Sequence, residues 1–260
     1  MKYHLDTIPV WDAFLEEKEC PFCILEDNLE KSYVDSFLGG SVMEPDTRIE
    51  VNAKGFCPHH NQLLYKAQNR LGLALMTHTH TLETLKRFRK ATDRLKKGAF
   101  SRGTGFSAAS LFRRTATGEK GHNSPMAEFS EWLESYRNSC VICDRMDYSM
   151  KRYVYTMLHL WENDSEFKDV MAKSKGFCLY HLKAIIDMAV ESLNAKKQQE
   201  LLEMLIPMEI KNLERLEQEL LWFTQKFDYR NQDKPWGNSK DSLPRLLQKL
   251  TGKYMENNRS

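Results

Sequence analysis

Four short stretches carry almost all of the reactive chemistry in this chain. They read "CPFC" at 20–23, "GFCPHH" at 55–60, "CVIC" at 140–143 and "GFCLYH" at 176–181. All six cysteines of the protein lie in them. A C-x-x-C turn brings two sulfurs to one side as a bidentate clamp. A Cys and a His three residues apart share one face when they open a helix. One clamp of each kind supplies three sulfurs and one imidazole nitrogen, the donor set of a closed tetrahedral zinc site. Two such sites are therefore expected, one from Cys20, Cys23, Cys57 and His60, the other from Cys140, Cys143, Cys178 and His181. His59 is excluded as a ligand because Tyr180 occupies the matching place. Pairing within each half follows from chain entropy, since closing the shorter loop costs less, though only by about a kcal/mol.

Other chemistries compete for the same residues. Thiolate-rich sets also suit iron, so an iron–sulfur cluster with three Cys and one His is an alternative cofactor to the two zinc ions. "CPFC" also resembles a glutaredoxin redox motif, but that chemistry needs a strand before the cysteines and a helix after them. Here the lead-in is helical in pattern. Four protein ligands leave no position for a reacting water, which favours structural over catalytic metal.

The motifs are spaced as a duplication. Cys20 and Cys23 recur 120 positions later as Cys140 and Cys143, while Cys57 and His60 recur 121 positions later as Cys178 and His181. "KSYVDSFL" at 31–38 matches "KRYVYTML" at 151–158. Two copies of this length indicate a duplicated unit, not a solenoid. Each copy reads as a lead-in helix (Trp11 and Phe14; Trp132 and Tyr136), the C-x-x-C, a helix, a polar break, and a long helix opened by C-x-x-H. Leu82, Leu85, Phe88 and Leu95 in the first copy recur at helical steps. So do Ile206, Ile210, Leu213, Leu216, Leu220, Phe223 and Phe227 in the second. Period-two alternation is nowhere sustained, so the fold class is all-α, and Pro207 is expected to kink or interrupt the last long helix.

The organisation predicted is a first metal-binding repeat at 1–97, a flexible basic linker rich in Gly and Ser at 98–128, a second repeat at 129–230, and a polar tail at 231–260. The linker holds five of the twelve glycines. The tail contains one amphipathic candidate, "SLPRLLQKLTG", with Ser242 as its cap, Gly252 as its stop, and Leu246, Leu247 and Leu250 as its docking face.

The balance of residues excludes some classes. At 260 residues, 41% hydrophobic and 28% charged, with net charge +2, the chain has the composition of a soluble globular protein. No apolar run approaches the ~18 residues needed to span a bilayer, so no membrane partner is expected. "MKYHLDTIPVWD" lacks the apolar core of a secretory signal, which predicts a cytoplasmic protein in which disulfides are disfavoured. The local exception to neutrality is residues 86–120, where Arg87, Arg89, Lys96, Lys97 and seven further cations face only Asp93 and Glu119. With Phe88, Phe100, Phe106 and Phe112 interleaved, this segment could hold nucleic acid, though a solvated helix end with a flexible basic loop is the favoured explanation. His78 and His80 in "THTH" diverge on a helix and do not form a joint metal site. No nucleophile elbow, zincin or phosphate-loop sequence is present.

Taken with the paired G-F-C-x-x-H motifs, "MKYHLDTIPVWDAF" and "ECPFC" resemble an uncharacterised bacterial family, over nearly the whole chain. The resemblance implies no activity. The function expected from the residues is that of a zinc-stabilised helical module that binds another macromolecule, most simply a protein. The alternative is an enzyme or redox carrier using the Cys₃His sites.

Overall fold

A computed structural model describes residues 6–100 and 125–252. The described residues form eleven α-helices and three short 3-10 helices, with no strand among them. In chain order these are α1 (Thr7–Leu15), α2 (Pro21–Leu38), α3 (Pro45–Lys54), α4 (Pro58–Lys66), α5 (Arg70–Phe100), α6 (Pro125–Arg137), α7 (Val141–Asn163), α8 (Ser165–Lys173), α9 (Leu179–Ser192), α10 (Ala195–Gln225) and α11 (Ser242–Thr251). Proline opens α2, α3, α4 and α6, where its missing N–H removes no helical bond. Asp164 caps α8 by accepting from the N–H groups of Glu166 and Phe167, and Asn194 caps α10 by accepting from Lys197. None of the described helices is long and apolar enough to cross a membrane.

The duplication is visible element by element. α1 to α5 recur in order as α6 to α10, and the long helices α5 and α10 have 31 residues each. α11 has no counterpart among the described residues of the first copy. The expected single long helix after each C-x-x-H is two helices: a short one carrying the motif, then a turn, then the long one. α10 runs on through Pro207 without ending there.

The compact units are not the two sequence copies. One unit is Met1–Glu30 with Met146–Ser260, and the other is Lys31–Arg145. Each takes its lead-in helix and C-x-x-C from one copy and everything that follows from the other. In the first unit, α1 packs on the second copy: the Trp11 and Phe14 rings meet Phe167 edge-on at 5.1 and 4.9 Å, and Phe14 meets Phe177 at 5.9 Å. Phe22, Trp161, Phe167, Phe177, Ile185, Leu201 and Leu205 are buried in this core. In the second unit, α6 lies against α5, with Phe129 and Trp132 touching Phe88. The N–H of Val141 donates to the Gly55 carbonyl at 3.1 Å. Phe37 and Phe56 meet edge-on at 5.5 Å, and Val51, Leu64 and Met76 of this unit are fully buried.

Two helix faces differ from the expected ones. α10 buries Leu201, Leu205, Met208, Glu209, Asn212 and Leu216, while Ile206 and Ile210 of the expected stripe are about half exposed. On α11, Leu250 is 46% exposed, and the fully enclosed residues are Ser242 and Lys249. The hydrophobic pattern of α11 misleads because its deepest contact is ionic. Gly252 does end α11, in the left-handed conformation with φ 79°. Ser242 is buried and donates to the Ser239 carbonyl without capping the helix. Residues 125–128 of the expected linker begin α6. Residues 101–124, with most of the expected basic loop, lie outside the described residues.

Candidate metal centres

Each centre is built from two helix N-termini. In the first unit, Cys20 stands just before α2 and Cys23 lies in its first turn. Cys178 is the N-cap of α9, and its sulfur accepts from the His181 N–H at 3.4 Å. His181 follows in the first turn. The exposed N–H groups and positive end of a helix favour a thiolate in such a position. The second unit repeats the construction, with Cys140 and Cys143 at the start of α7, Cys57 as the N-cap of α4, and His60 in its first turn.

The ligand sets cross between the copies. Cys20, Cys23, Cys178 and His181 form one cluster, and Cys57, His60, Cys140 and Cys143 form the other. All eight expected side chains fall in the two clusters, but the pairing of each C-x-x-C with the C-x-x-H of its own copy is overturned. Between each C-x-x-C and the C-x-x-H of its own copy stand two helices, α2 and α3 in the first copy and α7 and α8 in the second. Loop-closure entropy describes flexible loops, and these are not flexible.

The distances suit a tetrahedral ion. Metal–sulfur bonds near 2.3 Å imply sulfur–sulfur edges of about 3.8 Å and sulfur–nitrogen edges of about 3.6 Å. In the first centre Cys178 Sγ lies 3.7 Å from both Cys20 Sγ and Cys23 Sγ. His181 Nδ1 lies 3.6, 3.6 and 3.1 Å from the sulfurs of Cys20, Cys23 and Cys178. In the second, Cys57 Sγ and Cys143 Sγ are 3.8 Å apart, and His60 Nδ1 lies 3.2, 3.3 and 3.4 Å from Cys57, Cys140 and Cys143. These sulfur separations are far beyond a disulfide bond, and all six cysteines are free. Both clusters could hold a metal ion.

The thiols within each cluster are held at odds. Hydrogen bonds with Cys20 and Cys23 bring Cys178 down to about 4, against the cost of burial. The same contact with Cys178, then Cys20 and burial, pushes Cys23 up. Burial resists ionisation of Cys140, yet His60 and the N–H groups of Cys143 and Cys57 bring it down to about 6. Burial and the neighbouring Cys140 push Cys143 up. Thiols gathered this closely oppose one another's ionisation, a conflict that a shared cation relieves.

The surroundings of the two centres differ. All four ligands of the first are buried, and α11 lies over them, with the Gly252 carbonyl accepting from Cys23 Sγ at 3.5 Å. In the second, Cys57 and Cys143 are partly exposed. His181 Nε2 faces Glu26 at 3.6 Å, the kind of outer carboxylate that orients a ligating imidazole.

Behind each C-x-x-H, the glycine makes room for a polar side chain of the long helix. Gly176 has φ 74°, and a Cβ there would stand 2.3 Å from Glu209 Oε1. Glu209 accepts from the Phe177 N–H at 2.5 Å and pairs with buried Lys249 at 2.9 Å. Lys249 also donates to the Lys175 carbonyl at 2.7 Å and the Glu19 carbonyl at 3.5 Å. Gly55 has φ 65°, and its Cβ would stand 2.6 Å from His80 Nε2. His80 bridges the Asn52 carbonyl and the Tyr136 hydroxyl at 3.2 Å each. His80 is therefore a supporting residue and no ligand. Glu209 and Lys249 escaped sequence reasoning. The repeated Gly before each Phe-Cys was the only local sign that something approaches there.

The profile of one protein family, described as a family of unknown function, matches residues 1–257. The chain belongs to DUF6062. No curated protein and no solved structure matches it. Membership of DUF6062 assigns no activity, so the chemistry of the two clusters has to be argued from their geometry.

Proposed function

We propose that this DUF6062 member is a zinc-stabilised helical binding module whose two metal ions are structural. The observation that carries the reading is that each cluster is a closed set of three sulfurs and one nitrogen. Such a set satisfies tetrahedral zinc and reserves no position for water or substrate. Each ion ties the start of one copy to the body of the other, which explains why the ligands are spent twice. Binding of a structural zinc can supply on the order of 10 kcal/mol to folding. A cytoplasmic setting fits six cysteines held as free thiols.

Elemental analysis of the purified chain tests this directly, with about two zinc ions per chain expected. Removing them with a strong chelator should lower the helical circular dichroism signal in parallel with metal loss. Visible absorption with iron and acid-labile sulfide would replace this reading by the cluster-bearing redox alternative. Six rapidly titrating thiols and no metal in the native protein would end both.

A further inference from the structure

We propose that the groove between α5 and α6 binds a nucleotide unit, with its phosphate on the basic wall and its base on the aromatic wall. The proposal rests on the binding-module reading and gives its partner a chemistry. The groove is a cavity of about 320 Å³ within the second unit. Arg87, Lys90 and Arg94, spaced along one face of α5, line one side, and Phe129 and Trp132 of α6 line the other.

The aromatic wall continues out of the cavity as a ladder. Phe129 stacks on Trp132 with centroids 5.8 Å apart and planes at 19°, and Trp132 stacks on Tyr136 at 5.9 Å and 29°. Tyr136 in turn stacks on His80 at 5.9 Å and 8°. Phe88 and the neighbouring rings hold Phe129 and Trp132 in place, and both remain partly exposed along the groove, the kind of aromatic platform on which unpaired bases stack. A paired base in a duplex has no free face to offer.

Two of the three cations of the groove lack a carboxylate partner among the described residues. Arg87 is drawn to Glu83 and the Ala53 carbonyl, but among the described residues no carboxylate pairs with Lys90 or Arg94. In sequence, residues 101–124 add Arg102, Arg113, Arg114 and Lys120 against Glu119. Glu128 is the one acid in the lining. It suits a base amino group or a ribose hydroxyl as acceptor, and it tells against a bare phosphate ion. A cavity of this size admits a single nucleotide, free or within a strand.

Fluorescence anisotropy on the full metal-loaded chain at low salt tests the proposal. The probes are a labelled mixed-sequence 12-mer RNA, the same sequence as single-stranded DNA, its duplex, and labelled AMP. Single strands are expected to bind and the duplex to bind more weakly. AMP binding as tightly as the strands would assign the site to a free nucleotide. Lys90→Ala with Arg94→Ala should weaken binding and flatten its log–log salt slope by roughly 0.7 per removed cation. Trp132→Leu should weaken it at least about fivefold, at unchanged salt slope.

Lys90 and Arg94 are exposed, so their variants should keep the fold, which metal content and circular dichroism verify on the same samples. A chain that holds both metals yet binds none of the probes overturns the groove proposal alone. So does binding that ignores both substitutions, or that labelled polyglutamate reproduces. A chain without zinc overturns the structural-zinc reading, whatever it binds.

Discussion

Cys20 and Cys178 lie 158 residues apart in the chain, and their sulfurs lie 3.7 Å apart. That one contact sets the organisation of the protein. It joins the C-x-x-C of the first copy to the C-x-x-H of the second, and Cys57 with Cys143 completes the exchange at 3.8 Å. Each copy is thus incomplete without the other.

Double substitutions separate crossed from uncrossed pairing by counting metal. Cys20→Ser with Cys178→Ser should remove one ion and leave the Cys57, His60, Cys140 and Cys143 site loaded. Cys20→Ser with Cys57→Ser should remove both. The reverse result, measured by elemental analysis, would restore pairing within each copy.

The two ions should leave at different rates. Cys57 and Cys143 are partly exposed, whereas the first centre is enclosed beneath α11. A metallochromic chelator should therefore draw the first equivalent from the second unit, where less structure has to open. The Cys178→Ser chain should show only the fast phase, and the Cys57→Ser chain only the slow one. A single shared rate would contradict the difference in enclosure.

Lys249→Met should be among the most damaging single changes outside the ligands. Lys249 is fully buried, and its loss leaves the Glu209 carboxylate enclosed without its cation. Burial already raises the Glu209 pKa, and Lys249 is the largest influence opposing that rise. Breaking a buried pair from one side costs about 3–5 kcal/mol. Lys249→Met combined with Glu209→Gln should recover part of it. Urea midpoints at fixed zinc measure both, and a neutral Lys249→Met would show the pair to be dispensable.

Gly176→Ala and Gly55→Ala should each destabilise their unit by about 1–3 kcal/mol. Both glycines have positive φ, and the added Cβ would strike Glu209 in one case and His80 in the other. Thermal or urea unfolding of the zinc-loaded variants reads the effect. An alanine tolerated at either position would remove the strain argument there.

The sequence alone determined the ligand types, their number and the duplication. Cys₃His chemistry depends on donor atoms and short local spacings, which survive in one dimension. It also determined the helical class, because apolar residues recur at helical steps and period-two alternation is nowhere sustained. It misplaced faces where burial is ionic: Lys249 reads as a surface lysine until Glu209 and two carbonyls are seen around it. Pairing of the ligands was beyond it for a different reason. The two C-x-x-C clamps are chemically interchangeable, as are the two C-x-x-H clamps, so composition and spacing treat all combinations alike. Only the tertiary structure decided between them. The stretch between each C-x-x-C and the C-x-x-H of its own copy is helical, so an argument from closing a flexible loop does not apply to it.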